Sequence, residues 1–176
     1  MKLYIKTIMI VVLLVAAINV NAQKEIDPSK STVTFVIGNS GADVEGKMNG
    51  LNGEITFDEA DLSTAKFTVN IPIKGLRSGN SMRDEHLQEE EFFDKINFPS
   101  ITFESTSVEK KEGYYLLVGE LGMKGISKSV SIQFIYKDNK FDGKLSINRT
   151  DFNVGGDDYS DSIGEKVEIR ISCTLK

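Results

Sequence analysis

The strongest constraint on this chain is a period of two. From Thr32 nearly to the C-terminus, apolar side chains recur at every second position, the pattern of strands with one buried face and one wet face. Val33, Phe35 and Ile37 form one such row, and Val44, Gly46 and Met48 the next. Leu51, Gly53, Ile55 and Phe57 follow, then Phe67, Val69, Ile71 and Ile73. In the second half the rows are Ile101 with Phe103, Val130 to Tyr136, Phe141 to Ile147, and Val167 to Leu175. This amounts to about nine short strands with brief connections, which predicts an antiparallel all-β barrel or sandwich. No repeat of fixed length and no linker interrupts the pattern. Asn49-Gly50 is the strongest hairpin signal, Asp138-Asn139 marks another turn, and Pro72 suits a strand end or edge.

Residues 80–98 break the alternation. Ser81 followed by Asp84 reads as a helix N-cap with an acid three residues on, and Pro99 stops the run. Leu87, Phe92 and Phe93 are too apolar for a solvated linker, so one or two short helices are expected across a barrel end. An eight-stranded barrel is near the size at which the interior either fills with side chains or holds one small ligand. Glycines at Gly46, Gly53 and Gly143 either empty part of that interior or permit close packing. By strand parity, the residues expected to face the lumen are Phe35, Ile55, Phe67, Val69, Phe103, Leu116, Phe134 and Ile169. A one-residue slip would reverse any of these assignments. Tyr114 through Leu117 is apolar on both faces, as a subunit interface of a homodimer would be.

The N-terminus follows a different logic. Lys2 and Lys6 precede an unbroken apolar run from Ile8 to Ile18, and Val20-Asn21-Ala22 then offers a small-residue cleavage site. This is the layout of a secretory signal peptide over residues 1–22, leaving residues 23–176 as the folded domain. The apolar run falls short of the roughly 20 residues that cross a bilayer, and position 23 is Gln rather than a lipid-accepting Cys. A periplasmic or secreted protein without a membrane anchor is therefore expected. The net charge of −5 becomes −7 once the two leader lysines are removed, a surface that repels phosphate backbones.

Chemistry has little to work with. His86 is the only histidine and Cys173 the only cysteine, so three or four nitrogen and sulfur ligands for zinc cannot be assembled. No glycine-rich phosphate loop occurs, and nothing near His86 resembles a nucleophile elbow. Asp157, Asp158, Asp161 and Glu165 cluster without the spacing of an EF-hand. Cys173 continues a strict strand alternation and reads as core. The expectation is a binding protein with no catalytic residues, no cofactor and no metal. A ligand-free structural or stress-related protein acting through its surface is the alternative.

The segment Ser78-Gly79-Asn80-Ser81-Met82-Arg83-Asp84-Glu85-His86-Leu87 is followed by Phe92-Phe93-Asp94 and Phe98-Pro99-Ser100-Ile101-Thr102-Phe103. Together these closely resemble the YceI-like lipid/polyisoprenoid-binding proteins. Ser31 through Phe35, Val44 through Met48, Gly53 through Asp58, Gly119-Glu120-Leu121 and Arg149-Thr150-Asp151-Phe152 add to the likeness. The resemblance implies an extended lipocalin-like barrel, exported in Gram-negative bacteria, whose apolar tunnel holds a long isoprenoid or similar lipid. Arg83 and His86 would then stand at the mouth or meet a polar head group; the alternative is that Arg83, Asp84 and His86 form a structural network that fixes the helical crossing. This chain has Lys30-Ser31 and Asn39 where many relatives have His-Ser and a second His.

Overall fold

The computed structural model describes residues 23–156 and 158–176. The leader expected at residues 1–22 and the acid at Asp157 lie outside the described residues. Among the described residues, eleven strands form one antiparallel sheet. They are β1 (Lys24–Glu25), β2 (Thr32–Asn39), β3 (Ala42–Asn49), β4 (Asn52–Thr56), β5 (Lys66–Pro72) and β6 (Leu76–Arg77). After the helix α1 (Ser81–His86) come β7 (Ser100–Lys111), β8 (Tyr114–Met123), β9 (Ile126–Lys137), β10 (Lys140–Asn148) and β11 (Ile163–Thr174). The order across the sheet is β1-β4-β5-β7-β8-β9-β10-β11-β2-β3-β6. The expected all-β barrel with a short helix is what forms. Its eleven strands reduce to the expected eight because β1 is a two-residue segment, β3 runs on into β4 and β5 runs on into β6.

Closure happens at two places. Residues 66–77 run continuously from β5, which pairs with β4 and β7, into β6, which pairs with β3. One stretch of chain thus joins the two flanks of the curled sheet. The N-terminal segment does the same elsewhere, since β1 pairs with β4 while Ile26 bridges to Leu175 just beyond β11. Edge strands that would otherwise template association are covered by these segments.

The Asn49-Gly50 signal gives neither a turn nor a hairpin. Gly50 adopts φ +85, yet β3 pairs with β2 and β6 while β4 pairs with β1 and β5. The chain runs straight on instead, because β3 and β4 both lie antiparallel to residues 66–77, with Lys47 opposite Arg77 and Asn52 opposite Asn70. The helix cap also lies one residue earlier than the pattern suggested. Asn80 accepts a hydrogen bond from the Arg83 backbone N–H at 3.1 Å, while the Asp84 carboxylate turns back to the N–H and hydroxyl of Ser78. Pro72 is the last residue of β5, where a missing N–H costs no ladder bond.

Glycine solves two packing problems and leaves one space. The Phe35 ring lies over Gly46, and Gly53, at φ +133, lets β4 close onto the Thr68 carbonyl of β5. Gly143 instead faces the interior, where a side chain is simply missing.

Candidate functional site: an apolar lumen with a cap and a floor

The inward rows of the sheet enclose a cavity of about 240 Å³. On β10 the residues Phe141, Gly143, Leu145 and Ile147 all line it, as do Ile169, Ile171 and Cys173 on β11. At roughly 3.4 Å per residue, the six steps from Phe141 to Ile147 cover about 20 Å along the strand, and the tilt of barrel strands makes the depth along the axis shorter. An engineered cavity of roughly 150 Å³ takes up benzene, so the space here suits about ten carbon atoms, or two isoprene units. The lining includes no carboxylate and no imidazole. Its few polar residues are Asn39, Thr102, Arg83, Arg149 and the thiol of Cys173. Burial pushes that thiol up to about 12, so it stays protonated and inert.

The sequence-derived lumen residues mostly meet here. Phe35, Ile55, Phe67 and Val69 line the cavity, and so do Phe103, Phe134 and Ile169. Leu116 does not. On β8 the inward row is Tyr115, Leu117, Leu121 and Met123, and Leu116 lies on the outer face opposite Glu109 and Gln133. Four apolar residues in a row carry no parity of their own, so only the register with β7 and β9 decides which of them point inward.

One end of the barrel is capped by α1, the turns after it, and the loop after β10. Leu87, Phe92, Phe93 and Val154 close the lumen from this side. Arg83 reaches the lining, with Nε donating to the Ser78 hydroxyl at 2.8 Å and Nη2 to the Ser78 carbonyl at 2.6 Å. Its neighbour Asp84 binds Ser78 rather than the guanidinium, so no direct ion pair forms between them. His86 corrects the expectation placed on it. Its imidazole does not line the cavity but pairs with Glu91 on the outside of the cap, held edge-on to Phe92. Glu91 also accepts from the Tyr159 hydroxyl at 2.9 Å, and Tyr159 followed by His86 holds its carboxyl below the usual range.

Arg149 was not singled out by sequence, although it sits in the Arg149-Thr150-Asp151-Phe152 run. It is 4% exposed and anchors the cap loop through four backbone carbonyls. Nε donates to Gly164 at 3.1 Å and Nη1 to Val154 and Gly156 at 2.9 and 2.8 Å. Nη2 donates to Ile163 at 3.1 Å. Among the described residues no carboxylate pairs with it. The planar guanidinium fork suits this role, because it can satisfy several carbonyls at once in one plane.

The opposite end is a floor of aromatic rings. Phe67, Phe134 and Phe141 line the lumen, and Phe57, Tyr115 and Tyr136 pack against them from outside it. Tyr115 donates to Glu59 at 2.6 Å, a bond which, with burial, pushes the phenol up to about 12. Edge-on ring pairs of this kind add roughly 0.5–1.5 kcal/mol each beyond their area.

Fold and site together define a lipocalin-like antiparallel barrel around an apolar lumen. The chain belongs to the YceI-like family, whose domain model matches residues 25–175. It is 36% identical over 91 residues to a UPF0312 protein of Shewanella denitrificans and 35% identical over 88 residues to one of Yersinia enterocolitica. Those matches cover 51% and 50% of this chain and 48% and 46% of the relatives, so the matched stretch spans about half the length of each. Among solved structures, Burkholderia cenocepacia BcnA superposes with TM-score 0.80 at 25% identity, covering 86% of this chain and 99% of BcnA. A polyisoprenoid binding domain from Saccharophagus degradans shares the fold, with TM-score 0.67 and 11% identity over 86% of this chain and 97% of that one.

Proposed function

We propose that this protein is an exported carrier that holds the chain of a long isoprenoid or related lipid in its lumen and performs no chemistry on it. The observation that carries the reading is the enclosed apolar cavity, with its charged groups bonded to backbone and hydroxyl partners at the cap. The likeness to a domain described as polyisoprenoid-binding supports the choice of ligand class. The leader-like N-terminus supports an envelope or secreted location.

The energetics favour long chains. Each buried methylene contributes about 0.8 kcal/mol, so one isoprene unit contributes on the order of 4 kcal/mol before the cost of ordering the chain. A lumen sized for about two units encloses that much in its resting shape. Longer ligands extend toward the cap, where Arg83 meets a polar head. The test is a titration of the purified mature protein with geranylgeraniol and with a short, water-soluble prenol. Saturable binding of one geranylgeraniol per chain, far tighter than the short alcohol, is the expected result. Equal, non-saturable uptake of both would overturn the carrier reading. Arg83→Ala is expected to weaken prenyl phosphates more than prenols, and unchanged affinities with a lowered melting temperature would remove the head-group role.

A further inference from the structure

At the end away from the cap, the lumen meets a cluster of aromatic rings. Phe57 follows β4 directly, on the same face as the lumen residue Ile55, because side chains two apart share a face. Five rings surround it edge-on, with centroid distances of 6.0 Å to Phe67, 5.3 Å to Tyr115 and 5.6 Å to Phe134. Tyr136 lies 5.0 Å away and Phe141 5.4 Å away. Three of these five, Phe67, Phe134 and Phe141, line the cavity. Phe57 itself does not line the cavity and is only half-buried, so solvent lies beyond it.

We propose that Phe57 is the keystone of an aromatic stopper that sets the longest chain the lumen can enclose. It buttresses every ring of the floor, and its own place is fixed two residues later, where Glu59 accepts a hydrogen bond from Tyr115. Without the Phe57 ring, Phe67, Phe134 and Phe141 lose their common support and relax outward. The lumen then deepens toward solvent, and a longer apolar tail is enclosed. Phe57 thus determines specificity for ligand length, not for ligand head group. The sequence hides this role, since an aromatic at a strand end reads as ordinary core.

This inference rests on the carrier reading, and one experiment separates the two. Wild-type protein and Phe57→Ala are titrated with geraniol, farnesol, geranylgeraniol and solanesol by displacement of a fluorescent apolar probe. In the wild type, affinity rises with length and reaches a plateau where the lumen is full. In Phe57→Ala the plateau moves to a longer prenol, and the first prenol past the wild-type plateau binds at least tenfold tighter than to wild type. Phe57→Leu keeps an apolar plug and guards against loss of fold; it shifts the plateau in the same direction by less. Identical plateaus in wild type and both variants overturn the stopper while leaving the carrier intact. A wild type that binds none of the prenols overturns both.

Discussion

Gly143 offers a way to fill the lumen without breaking the barrel. It sits mid-strand on β10, between the lumen residues Phe141 and Leu145, and its backbone lies outside the left-handed region. A Cβ built there would approach a methyl of Ile132 at 3.2 Å, with its next contacts an ordinary 3.6 Å to the Gln133 carbonyl and the Phe134 Cβ. Gly143→Leu therefore places about four carbons in the cavity, and at about 0.8 kcal/mol each their burial is worth about 3 kcal/mol. Crowding at Ile132 returns roughly 1–3 kcal/mol of that, while removing a strand glycine recovers roughly 0.5–1. Stability should change little or rise. A ligand chain, however, loses the same volume. It forfeits about 3 kcal/mol, which at about 1.4 kcal/mol per decade is roughly a hundredfold in affinity. Thermal unfolding and prenol titration on the same sample give both numbers. Wild-type affinity in a folded Gly143→Leu protein would refute the placement of ligand in this lumen.

Four further outcomes follow from the same structure. Leu116→Lys should leave stability within roughly 0.5 kcal/mol of wild type, whereas Leu117→Lys buries a charge and should abolish folding or binding; circular dichroism and titration distinguish them. Arg149→Met leaves the carbonyls of Val154, Gly156, Ile163 and Gly164 without their donor, and urea unfolding should show a loss of about 3 kcal/mol or more. Both Cys173 and Tyr115 are raised from ordinary values of 9.0 and 10.0 to about 12, so the unfolded chain ionises first. Their contribution is whole below pH 9 and is lost as pH climbs toward 12, which denaturant melts across that window should show as a falling midpoint. Cys173 should also resist thiol reagents at pH 8 until the protein is unfolded in denaturant.

Much of this architecture can be read in the sequence, and the misses have physical causes. Rows such as Val167-Ile169-Ile171-Cys173 alternate apolar with polar, so their inward face is unambiguous. Tyr114-Tyr115-Leu116-Leu117 lacks that contrast, and strand parity alone assigns Leu116 to the wrong face. Asn49-Gly50 reads as a hairpin turn, yet the chain runs straight on there because both flanking strands pair with residues 66–77, which no local signal encodes. Asn80 and Ser81 are both good N-caps, and the closure of Asp84 onto Ser78 leaves the role to Asn80. The resemblance places Arg83 and His86 together at the mouth, but Glu91 and Tyr159 hold the cap together on the outside and keep the imidazole there. Arg149 and Phe57 act through tertiary partners alone, the first through carbonyls of a loop that folds back on it, the second through rings from four other strands.

The most direct test of the carrier account is native mass spectrometry of the mature protein purified from its own envelope fraction, followed by organic extraction and identification of any bound lipid. The account expects a complex with one long-chain isoprenoid or related lipid per protein chain, released on denaturation. A protein that emerges at its bare mass, and stays so after incubation with prenols, would contradict it.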